Sequence, residues 1–160
     1  MKIKKRVVAV LLASHLGLFG FGFVAGVYYL PVLTATKNAT DKDVQIVKDS
    51  ARYTGLFDKN QEGSNAVHWA DGQLYVSNHE IAFEGTVAPG PDYKIYLTKT
   101  QANNKASFLK IKDESLYIGD LKNFGNFKKA IPNGVNIDEY TTVQIWCERY
   151  SQFISSAAYK

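Results

Sequence analysis

Pro89-Gly90-Pro91-Asp92-Tyr93-Lys94-Ile95-Tyr96-Leu97-Thr98, residues 89–98, joins a turn signal to a strand signal. Pro-Gly-Pro-Asp is turn chemistry, because proline presets its backbone angle and Asp bonds its own backbone. The residues that follow alternate, with Tyr93, Ile95 and Leu97 on one side and Lys94, Tyr96 and Thr98 on the other. A period of two with aromatic and β-branched residues describes a strand buried mainly on one face.

The same pattern recurs outward from this stretch. Leu74 and Val76 alternate with Gln73, Tyr75 and Ser77; Ile81 and Phe83 alternate with Glu80 and Ala82. Leu109 and Ile111 alternate with Phe108, Lys110 and Lys112, and Val143, Ile145 and Cys147 with Thr142, Gln144 and Trp146. Turn signals separate the runs at Asp71-Gly72, Asn103-Asn104, Asn123-Phe124-Gly125-Asn126 and Pro132-Asn133-Gly134. No helical stripe of three turns appears after residue 51. The spacing predicts an all-β domain over residues 52–160, an antiparallel β-sandwich or barrel of about seven to nine short strands.

The N-terminus differs in kind. Val7 to Leu30 carries no charge, with Ser14 and His15 as its polar interruptions. At helical rise it spans about 36 Å, enough for a hydrocarbon layer of about 30 Å. It is longer than a signal-peptide core and lacks a good small-x-small cleavage site, so it predicts an uncleaved anchor over residues 7–30. Pro31 is expected to end the helix. Residues 1–6 form a basic tail with Lys2, Lys4, Lys5 and Arg6, which predicts a cytoplasmic N-terminus and a periplasmic or extracellular domain on a single-pass inner (plasma) membrane protein. Residues 31–51 read as a linker with a short helix near 41–50, started by Thr40 and Asp43. Gly22 and Gly26 form a small-xxx-small step, a candidate dimer contact. For His15, a neutral ring bonded to a backbone carbonyl is the preferred reading over a haem or proton site.

Charge excludes one function class. The chain of 160 residues has 19 basic and 15 acidic residues, net +4. Setting aside the four basic residues of the tail, the remainder balances. A neutral body offers no electrostatic footprint for a phosphate backbone, so no nucleic-acid partner is expected. Motifs exclude others. There is no Gly-x-Ser-x-Gly elbow, Walker loop, His-Glu-x-x-His or Cys-x-x-Cys, and nothing demands an enzyme.

Cys147 is the one cysteine. Outside the cytoplasm it makes an intermolecular disulfide, stays a buried thiol, or takes part in redox or metal chemistry. Strand parity puts it on the apolar face with Val143 and Ile145, and Trp146 and Glu148 on the other. His68 reads as part of an early strand, on the face opposite Val67 and Trp69.

Pro89 to Leu97, then Tyr117-Ile118-Gly119-Asp120-Leu121, then Val143-Gln144-Ile145-Trp146-Cys147 resemble the DM-thirteen domain, also called the electron-transfer DM domain. Tyr53-Thr54-Gly55-x-Phe57, His68 with Gly72, Ile131-Pro132, Tyr140, Phe153 and Ala157 support the likeness, which covers about residues 52–159. Gly26 to Thr34 resembles the short membrane-anchored bacterial members. The resemblance implies a β-sandwich-like module marked by Pro89, Gly90, Pro91, Asp92 and Trp146. Its signature cysteine, matching Cys147, would serve redox chemistry or hold a redox cofactor such as haem or another redox metal, with His68 the candidate second ligand. A redox partner would come from another protein. The alternative is a non-catalytic binding or scaffold domain with a structural Cys147.

Overall fold

A computed structural model describes residues 4–160; residues 1–3 of the basic tail, Lys2 among them, lie outside the described residues. Helix α1 spans Lys5–Leu33, with none of its residues buried, and is long and apolar enough to cross a membrane. Pro31 lies inside the helix and does not end it. The reason is its position in the last turn, where its missing N–H removes one bond while Thr34 N–H still reaches Leu30 O at 3.0 Å. His15 Nδ1 lies 2.7 Å from Leu11 O, one turn back.

Residues after α1 are stitched to the body: Thr36 N–H donates to Lys122 O and Ala39 N–H to Asn126 O, both at 2.8 Å. Helix α2, Asp41–Asp49, starts on a full capping box between Thr40 and Asp43. Eight strands follow: β1 Tyr53–Phe57, β2 Ala70–Val76, β3 Glu80–Val87, β4 Tyr93–Thr98, β5 Leu116–Leu121, β6 Phe127–Ala130, β7 Thr142–Cys147 and β8 Gln152–Ala158. They form two antiparallel sheets, ordered β1-β2-β3-β6 and β5-β4-β7-β8. The architecture is a β-sandwich of eight strands.

Between the sheets lies the main core, which includes Phe57, Leu74, Phe83, Ile95, Val143, Ile145 and Cys147. Both outer faces are also covered. Val44 and Val47 of α2 pack on Tyr75 and Ala82. On the other side, helix α3, Lys105–Ile111, sets Phe108 against Tyr96, Trp146 and Phe153. This cover explains why β7 is buried along its whole length, without the alternation of a one-sided strand.

Two local readings are corrected. Residues 108–112 are not a strand: Asn104 and Ser107 form a reciprocal capping box, and Phe108 and Ile111 fall one turn apart on the packed side of α3. Asp71-Gly72 is no turn but the interior of β2, where Gly72 faces Gly85 across the ladder. Gly72 has φ +149°, and a Cβ there would meet the Gly85 Cα at 2.7 Å and the Phe83 ring at 2.9 Å. The two glycines let the strands and that ring close up.

Candidate functional site

Cys147 ends β7, the central strand of its sheet beside β4, so its side chain points into one end of the inter-sheet core. It is 1% exposed. The tight turn from Glu148 to Ser151 leads straight into β8, with Ser151 at φ 45°. Burial pushes the thiol above its ordinary range and the Asp92 charge adds to this, while the backbone N–H groups of Tyr150, Asp92 and Arg149 act in the opposite direction. Burial wins, so the sulfur is a protonated thiol at neutral pH.

A cavity of about 280 Å³ opens beside it, lined by Cys147, His68, Tyr93, Val67, Tyr150 and the Pro89-Gly90-Pro91 turn. Its remaining wall is α1, through Phe23, Val24, Val27 and Tyr28. Among the described residues no Asp, Glu, Lys or Arg takes part in the lining. Tyr93 is 2% exposed, and its ring lies directly over Gly90, leaving no room there for a Cβ. Burial first, and then the nearby Cys147 and Tyr28, hold its phenol well above the ordinary range; no hydrogen bond contributes.

His68 is not on a strand. Residues Asn65 to His68 form a closed turn, with Asn65 N–H to His68 O at 2.9 Å and His68 N–H to Asn65 O at 3.2 Å. The turn puts His68 and Val67 on the same cavity, where a strand would have put them on opposite faces. Its tautomer follows from the bonds around it. Val67 N–H donates to Asn65 Oδ1 at 3.0 Å, which orients the amide so that Asn65 Nδ2 faces His68 Nδ1 at 3.1 Å. Burial lowers the imidazole pKa, so the ring is neutral, Nδ1 accepts from the amide, and Nε2 carries the proton.

The charges nearby lie outside this lining, Arg149 among them, which lines an adjoining cavity with Phe23, Val27 and Pro91. Lys94 Nζ meets Asp92 at 3.0 Å and Asp120 at 2.6 Å. The Lys94 and Tyr117 hydrogen bonds draw the Asp120 carboxyl down to about 2. On the opposite face of β7, the Glu148 carboxylate takes bonds from Lys112 at 2.7 Å and from the Tyr96 hydroxyl. Burial pushes its pKa up, but these bonds outweigh it and the net shift is downward. Trp146 Nε1 has no partner in bonding geometry, although the indole lies near enough to Glu148 to help lower that pKa.

The structure thus brings Cys147, His68, Pro89, Gly90 and Pro91 to one cavity, with the Asp92 backbone beside it, and leaves Trp146 outside it. Sequence reading missed Tyr93, whose alternation marked it only as core, and missed the α1 wall. The residues present do not fit haem. The lining holds no cation to answer its propionates, the sulfur is held protonated, and about 280 Å³ is at the small end of ligand cavities. Among the described residues no three His, Cys, Asp or Glu side chains gather to hold a metal ion.

Fold and site together define a small β-sandwich module built around one thiol at the rim of an apolar cavity. The family model described as electron transfer DM13 matches residues 57–159. The chain belongs to that family. No curated protein and no solved structure matches it.

Proposed function

We propose that this chain is an electron-transfer accessory held at the outer face of a membrane by α1, with Cys147 as its redox group. The observation that carries the reading is the position of that thiol: almost fully buried, yet lining a cavity with His68 and Tyr93. Family membership supports the chemistry. The basic residues Lys4, Lys5 and Arg6 before the apolar run, with no acidic residue among them, support a cytoplasmic N-terminus and an external body. With one cysteine in the chain, the other half of any redox couple belongs to another molecule.

Mediator-coupled electrochemical titration of the full chain in detergent tests the redox role. Reversible oxidation, in which the Cys147 thiol gives one electron to the mediator and its proton to solvent, is expected in the native chain and lost in Cys147→Ser; identical traces would reject it. Proteolysis of spheroplasts tests the orientation: the body should be digested from outside, and full protection would reverse the topology.

A second reading has its own observation. Cys147 belongs to the main core and its thiol is pushed toward the protonated, unreactive form. The chain would then be a binding or scaffold module with a structural sulfur, and Cys147→Ala would change stability alone.

A further inference from the structure

We infer that the Cys147 cavity binds the ring of a membrane-soluble quinone, with the Tyr93 hydroxyl donating a hydrogen bond to a ring carbonyl. The inference rests on the reading of α1 as a membrane anchor. Three features point to this class of ligand.

The first is level. Phe23 lies about 27 Å along the helix from Lys5 at 1.5 Å per residue, close to the roughly 30 Å depth of the hydrocarbon. A cavity walled by Phe23, Val24, Val27 and Tyr28 therefore opens at the boundary of the bilayer. Val67 and Tyr150 on its rim are about half exposed, which suits an interface better than water. A ligand reaches this place most directly by lateral diffusion in the lipid.

The second is charge. With no ionic side chain in the lining, a charged ligand would be desolvated without a partner, at a cost of several kcal/mol. An uncharged, mainly apolar molecule meets no such cost.

The third is hydrogen bonding. Tyr93 is 2% exposed, and its hydroxyl is not among the buried unpaired atoms: Tyr93 lines the cavity, and its hydroxyl is free to donate there. A donor that faces an apolar cavity has few alternatives to a ligand acceptor. His68 presents a second donor through Nε2–H, its Nδ1 being taken by Asn65. The site offers neutral donors and requires acceptors. Hydrocarbon tails have no acceptor, and the ester carbonyls of a phospholipid are tied to a charged headgroup. A lipid-soluble ring bearing carbonyls satisfies all three features.

The full chain in phosphatidylcholine nanodiscs, titrated with decylubiquinone or menaquinone-4 against empty discs, tests the inference. Saturable one-to-one binding is expected, with slowed alkylation of Cys147 by a membrane-permeant maleimide. Tyr93→Phe, which keeps the ring and the packing, should weaken binding about 2- to 10-fold, the worth of one neutral hydrogen bond. Binding no greater than to empty discs, affinity unchanged in Tyr93→Phe, or equal protection of Cys147 by palmitate would each overturn it. If the chain enters the discs and binds no quinone, the quinone site alone fails; if it does not enter the discs, the anchor reading fails and takes this inference with it.

Discussion

Trp146 and Cys147 are neighbours on β7, yet they face two very different regions. Trp146 points outward, where α3 closes over it; Phe108 lies 4.9 Å away and Tyr96 lies 5.5 Å from Phe108, ring centre to ring centre. The polar tips at that edge are used: Tyr96 and Lys112 both bond Glu148. Cys147 points inward, where the sandwich ends against a turn and a helix wall, leaving a cavity that Tyr93 lines. One face is closed, although Trp146 Nε1 is buried there without a partner among the described residues; the other opens on a cavity. The difference separates stability from function: an unpaired group sealed under a helix is a cost to the fold, while one that faces a cavity can meet a ligand.

The largest expected effect tests the packed face. Trp146→Ala should cost about 3–5 kcal/mol in urea unfolding, because α3 cannot collapse into the space. A loss below 1 kcal/mol would show that α3 is only loosely applied.

Cys147→Ala should cost less, about 1–2 kcal/mol, since a small side chain leaves beside an existing void. If it proved as damaging as the tryptophan change, the contrast between the faces would be gone. The turn after Cys147 comes next. Ser151 is a non-glycine residue at φ 45°, and Ser151→Gly should stabilise the chain by about 1 kcal/mol, read as a raised melting temperature.

The smallest effect concerns the ion pairs around Lys94. Asp120 has its pKa lowered from 3.8 to about 2, first by the Lys94 bond and then by Tyr117. A carboxyl whose pKa falls on folding adds stability above its unfolded value and loses it as pH drops through the folded one. Asp120→Asn should therefore be less stable than the native chain above pH 4, by under about 1 kcal/mol at this partly exposed site. The two should converge as pH falls toward 2. A constant gap across that range would assign the loss to packing.

The strands of the body were legible because each buried face repeats every second residue; Tyr93, Ile95 and Leu97 could be read in this way. Where the reading failed, a local device outweighed the pattern. Asn104 and Ser107 cap a short helix out of a run that also alternates, and the Gly72 and Gly85 pair carries a strand through a dipeptide typical of turns. The site was half legible. Cys147 stands out as the one cysteine and the Pro-Gly-Pro-Asp turn as family pattern, but Tyr93 looked like any core aromatic. Nothing in the order of residues says that it lines a cavity.

An apolar N-terminal run, a balanced all-β body and one cysteine on the inward parity of its strand are legible in residue order alone, because periodicity and charge are local properties. That His68, Tyr93, Cys147 and the second half of α1 share a cavity is visible only in three dimensions. Those positions are far apart along the chain, and what brings them together is the closure of two sheets and the docking of a helix, where contacts depend on shape in three dimensions.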